Sequence, residues 1–154
     1  VDIAFYHLTT SSLEKTLPKL LEKVYQSGVH SVVLIDSAER LKILNGVLWT
    51  YSTGAFLPHG SSEEPADTHS LQPIWLTTSP SENPNNATVL VVTSGQEVTD
   101  FGGYIRCLDV FDGNEANSLD TAKQRLKSYQ DKGYKVVYWR QNLTGAWEKL
   151  EDFS

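Results

Sequence analysis

Val32-Val33-Leu34-Ile35 is an unbroken run of β-favouring apolar residues. A strand with one wet face alternates apolar and polar side chains, so a run without alternation reads as a strand covered by helices on both faces. The flanks agree with this. Downstream, Ser37 has the chemistry of an N-cap for a helix carrying Leu41, Leu44 and Leu48 on one stripe. Upstream, Leu13, Leu17, Leu20, Leu21 and Val24 recur at helical spacing, with a capping-box pair at Ser11 and Glu14 before them and Gly28 after them. Pro18 inside that pattern predicts a kink, or a later start near Thr16.

Further strands are read at Ile3 to Leu8, Pro73 to Leu76, Ala87 to Thr93 and Tyr134 to Arg140. Val98, Phe101, Ile105 and Leu108 fit a third helix weakened by Gly102-Gly103, and Ser118 opens a fourth with Leu119, Ala122, Leu126 and Tyr129 on its apolar stripe. Gly60 to Ser70 and Thr77 to Asn86 read as polar loops. Strands alternating with helices predict one α/β domain over residues 1–154. Its three layers, α/β/α, enclose a mainly parallel sheet of five strands. No helix is read between the strands near 74 and 89, which leaves room for one antiparallel strand.

The chain has 154 residues, 40% of them hydrophobic and 21% charged, the balance of a globular domain. Its longest apolar runs are far short of the roughly 18 residues a membrane span needs. The opening residues do not read as a secretion leader, and the lone Cys107 fits a reducing compartment, so a cytoplasmic protein is expected. Net charge is −6, the wrong sign for coating nucleic acid by bulk attraction. The charge is unevenly placed, however. Asp120 to Lys149 carries seven basic residues against three acids, a net of +4, while the remaining six basic and sixteen acidic residues leave −10 elsewhere. A basic module on an acidic body suits an anionic visitor, although a solvated basic face has the same composition.

Motifs for small-molecule chemistry are missing. No glycine precedes a lysine as in a phosphate-binding loop, and Thr9-Thr10-Ser11-Ser12 stands where a dinucleotide-binding turn would follow the first strand. There is no nucleophile elbow and no cysteine pair, and the four histidines lack metal-ligand spacing. No catalytic residue, metal site or cofactor is therefore assigned. Two clusters remain. Leu48-Trp49 and Phe56-Leu57-Pro58-His59 concentrate apolar bulk at a helix end and the loop beyond it, which suits either a partner's contact patch or core filling. Lys123 and Lys127, four apart, share a helix face beside Leu126, an arrangement that suits a peptide carrying carboxylates and an apolar anchor.

On these residues the chain resembles the chi subunit family of bacterial DNA polymerase III. Phe5-Tyr6, Leu48-Trp49 and Phe56-Leu57-Pro58-His59 match the family's N-terminal half. Ala122 to Lys127, Gly133-Tyr134, Tyr138-Trp139 and Trp147 resemble its C-terminal half. The resemblance implies a non-catalytic, cofactor-free adaptor of the clamp-loader assembly. It also implies a surface for the psi subunit at Trp49, Phe56, Leu57, Pro58 and His59. A second surface, at Lys123, Leu126 and Lys127 with Thr144 at the rim, is implied for the acidic, phenylalanine-ended tail of single-stranded-DNA-binding protein. Two positions depart from the pattern: Lys123 stands where arginine is usual and Leu126 where an aromatic is usual. Competing readings are a nucleotide-binding or hydrolytic α/β enzyme, and a direct single-strand binder stacking bases on Tyr138 and Trp139. Aromatic interface anchors commonly contribute about 2 kcal/mol, so Phe56→Ala should weaken psi binding roughly thirtyfold by calorimetry without unfolding the chain.

Overall fold

The computed structural model describes residues 1–50, 58–61, 64 and 66–150. Three α-helices and seven strands are seen among them: β1 (Asp2–Leu8), α1 (Leu13–Gln26), β2 (Ser31–Leu34), α2 (Ala38–Thr50), β3 (Ile74–Thr77), β4 (Val89–Val92), β5 (Arg106–Asp112), α3 (Ala116–Asp131), β6 (Lys135–Gln141) and β7 (Trp147–Leu150). One sheet runs in the order β3-β2-β4-β5-β1-β6-β7. All its pairings are parallel except β6 with β7. The α/β class and the mainly parallel sheet therefore stand, with seven strands in place of five. The antiparallel strand is β7, not one of those near 74 and 89.

Helices α1 and α2 pack on one face, against Leu8, Val33, Ile35, Leu76, Val91 and Val110. Helix α3 packs on the other, against Ile3, Phe5, Phe111 and Tyr138. This double coverage is what the unbroken run at β2 requires, and all four of its residues are buried. Capping differs by one residue from the expectation for α1. Ser12 takes the N-cap and accepts from the Lys15 amide at 3.3 Å, and the helix runs from Leu13 through Pro18 without a later start. Ser37 caps α2 as expected, accepting from the Arg40 amide at 3.1 Å. Part of the polar 60–70 stretch is a short 3-10 helix, Ala66–Leu71.

The largest correction falls on the segment read as a third helix. Its second half is β5, a strand bonded to β4 and β1, with Cys107 to Phe111 all buried. The apolar positions fit a helical period as well as a buried strand, which periodicity alone does not separate. Gly102, at φ 51, turns the chain before β5 begins. Asp109 broke the apolar run and obscured the strand.

Asp109 itself is buried, and Arg125 of α3 meets it with a two-pronged contact, Nε to Oδ2 at 2.8 Å and Nη2 to Oδ1 at 2.9 Å. The guanidinium also donates to Thr121 Oγ1 at 3.3 Å and lies 5.8 Å from the centre of the Phe5 ring. Gly95, at φ 76, makes room for it: a Cβ there would come 3.3 Å from Nη1. Removing one partner strands a charge in the core, so Asp109→Ala or Arg125→Ala should each cost about 3–5 kcal/mol in urea unfolding. The paired change Asp109→Val with Arg125→Met should recover most of that loss. A paired variant no more stable than the single ones would show that the contact is not isolated from its neighbours.

Candidate functional site

The rotation of α3 decides which side chains it offers. Ala122, Arg125 and Tyr129 face the sheet and are buried. Tyr129 is further fixed by its hydroxyl, which accepts from the Val98 amide at 2.9 Å. With those positions inward, Lys123 and Lys127 are exposed, and Leu126 lies half-buried between them against the α3-side core. The three helix residues expected at the tail site thus share one surface. Arg125, a quarter turn away, is withdrawn from the basic module by its pairing with Asp109.

Strand β6 supplies the floor next to this helix. Val136 and Tyr138 belong to the same cluster as Leu126, and Leu150 of β7 joins them. At the end of β1, His7 is buried between rings, with Phe111 at 4.9 Å and Tyr138 at 5.8 Å. Its Nδ1 is hydrogen-bonded to the Tyr138 hydroxyl. Burial first, then the cations Arg140 and Lys123, hold the imidazole down to about 4, against an opposing pull from Asp112. Burial pushes the Tyr138 hydroxyl up to about 12. Gly113 lies so close to the imidazole that a Cβ would run into it. Thr144 sits in the exposed β6–β7 turn, where its amide and hydroxyl both donate to Asn142 Oδ1, at 3.0 and 2.7 Å.

The other expected surface lies at the opposite end of the sheet. Trp49, at the end of α2, is 53% exposed, and its ring meets the edge of buried His59 at 5.0 Å. Pro58 is half-buried, and the chain then runs beside β3, with the Gly60 amide donating to Ile74 O at 2.9 Å and Leu76 N to Gly60 O at 2.9 Å. Phe56 and Leu57 lie outside the described residues. Sequence reasoning missed His7 and Arg140, although the alternation Val136, Tyr138, Arg140 was available to place Arg140 on the α3 side of β6.

A cavity of about 490 Å³ opens where the parallel strands end, between the starts of all three helices. In open α/β sheets this is where nucleotides bind. Here Glu14, Asp36, Asp112 and Glu115 line it against the lone cation Arg40, so its field opposes a phosphate. Among the described residues no group of three His, Cys, Asp or Glu side chains could hold a metal ion. No helix there is long and apolar enough to cross a membrane.

These features define a parallel α/β domain with surface clusters at both ends of its sheet and an acidic crevice. The family described as DNA polymerase III chi subunit, HolC, matches residues 1–137, and the chain belongs to that family. It is 31% identical over 152 residues to the "Probable DNA polymerase III subunit chi" of Rickettsia prowazekii (strain Madrid E), covering 96% of this chain and 90% of that one. Family membership makes it an accessory subunit in DNA replication. In fold it is similar to the C-terminal domain of S. cerevisiae Dbp5 in a complex with Gle1 and IP6, at TM-score 0.56 and 12% identity over 90% of each chain. A second structure of the Dbp5 C-terminal domain, a DEAD-box protein, gives TM-score 0.54 at 14% identity, again over 90% of each chain. At such identities the likeness concerns the fold alone.

The depressed imidazole of His7 has a stability consequence with a definite sign. It is neutral in the fold down to about pH 4, whereas in the unfolded chain it takes up a proton near its ordinary 6.5. The unfolded state thus binds more protons in that window, and the stability present above pH 6.5 is lost as pH falls toward 4. The full loss should be about 3 kcal/mol. Urea unfolding at pH 7, 5.5 and 4 should show this fall in the natural chain and a much flatter one in His7→Leu. Parallel curves would assign the acid sensitivity to other groups.

Proposed function

We propose that this chain is a non-catalytic replication adaptor that holds the psi subunit at its β3 edge and the acidic tail of single-stranded-DNA-binding protein on the α3–β6 face. The observation that carries the reading is the separation of the two clusters. Trp49, Pro58 and His59 lie by β3, the first strand of the sheet, whereas Lys123, Leu126 and Lys127 overlie the β1–β6 end. Two partners bound at opposite ends of a rigid sheet do not collide, which is what a bridge between assemblies requires. Exposed Trp49 offers the psi subunit an aromatic anchor, with Phe56 and Leu57 following it in the chain. At the other end, two lysines around an apolar spot suit carboxylates followed by a hydrophobic terminus.

The competing readings are less well supported. A nucleotide enzyme would place phosphates in a crevice lined by four carboxylates. A stacking groove for single-stranded DNA would need Tyr138 and Trp139 on one surface, but Tyr138 is buried and strand alternation turns its neighbour to the opposite face.

Exposed ion pairs contribute about 0.2–1 kcal/mol each, so tail binding should be modest and should weaken as salt rises. In fluorescence anisotropy with a short acidic peptide ending in phenylalanine, Lys127→Glu should nearly abolish binding. Leu126→Tyr should strengthen it severalfold by giving the terminal ring an aromatic surface. Salt-independent binding, or natural affinity in Lys127→Glu, would put the tail elsewhere and return this helix face to solvent.

A further inference from the structure

Strand β6 brings to the α3 face a cation that the helix alone does not contain. Val136 and Tyr138 turn toward α3, and alternation puts Arg140 on the same side. In the parallel β1–β6 register Arg140 stands directly beside His7. Lys123 reaches the same imidazole from the helix, since both cations act on it electrostatically. Two positive groups, one on the helix and one on the sheet, therefore converge over the end of β1. The acids facing this point are Asp112, at the end of β5, and Glu148, opposite Arg140 on β7. One of the Glu148 oxygens is already engaged, accepting from Asn142 Nδ2 at 3.2 Å.

We propose that Arg140 is the residue that grips the terminal carboxylate of the acidic peptide, with Lys123 closing on it from the helix side. The inference rests on the reading of α3 as the tail site and adds to that site its missing geometry. Lysine is a point charge on a flexible stem, whereas guanidinium is a planar fork that matches a carboxylate through two parallel bonds. The phenylalanine side chain of a peptide held in this way lies toward Leu126 and the floor made by Val136 and Leu150. The preceding acids of the peptide extend toward Lys127. The occupant is thus an acidic peptide with a free C-terminus, selected by that end and not by charge alone.

The test compares an acidic peptide ending in phenylalanine with its C-terminally amidated form, on the natural chain, Arg140→Gln and Arg140→Lys. Charge-assisted bonds of this kind correspond to about tenfold or more in affinity. Arg140→Gln should weaken the free-acid peptide by about that factor, Arg140→Lys should restore only part of it, and neither should change the already weaker binding of the amide. A second readout is the His7 imidazole signal in proton NMR. Its pKa should rise from about 4 when the free-acid peptide binds the natural chain, and should rise less in Arg140→Gln. Unchanged affinity in Arg140→Gln, with binding still lost in Lys127→Glu, would overturn the role of Arg140 and leave the tail site standing. No binding of either peptide to the natural chain would overturn both. Equal loss of free-acid and amidated binding in Arg140→Gln would make the arginine a general charge and overturn its role as the terminus clamp.

Discussion

The buried contact between Arg125 and Asp109 ties the exposed face of α3 to the middle of the sheet. A guanidinium placed on the inward stripe of a helix has to find its partner, because an uncompensated charge there costs several kcal/mol. Only one rotation of α3 lets Arg125 reach Asp109 while Ala122 and Tyr129 also fill the core. Given that rotation, helical spacing leaves Lys123 and Lys127 pointing to solvent and Leu126 at the boundary. Gly95 belongs to the same constraint, since its bare backbone allows the guanidinium to lie flat against the β4–α3 junction.

The sheet then sets the distance between surfaces. Its order places β3 at one edge and β6 with β7 at the other, so Trp49 and His59 gather beside one end and the α3 lysines near the other. The crevice at the strand ends, used for ligands in many α/β proteins, carries the negative charge of the body. A fold shared in outline with a helicase domain here keeps its chemistry-bearing residues on the outer surfaces and its carboxylates in the crevice.

Much of this architecture was legible where one signal dominated. The unbroken β2 run gave both-sided burial, Ser37 gave the start of α2, and Gly28, at φ 82, gave the end of α1. The apolar stripe of α3 was equally plain, and with it the shared face of Lys123 and Lys127. The failures arose where two physical demands overlapped. Strand β5 was hidden because Asp109, a core residue by virtue of a partner 16 positions away, looked like a solvated break. Strand β7 was missed because its residues alternate between half-buried and exposed, a weak pattern over four positions. His7 and Arg140 carry no local signature at all. They become neighbours only through the parallel pairing of β1 with β6, which joins residues more than 130 positions apart.

The central claim is that the outward face of α3, fixed by Arg125 and completed by β6, is the docking surface for an acidic phenylalanine-ended peptide. Backbone amide chemical-shift mapping with such a peptide tests it most directly. The account predicts dose-dependent shifts concentrated from Ala122 to Lys127 and at Tyr138 to Arg140, with the amides of Trp49 and His59 unmoved. Shifts confined to the β3 edge, or to the crevice around Glu14 and Asp36, would contradict it.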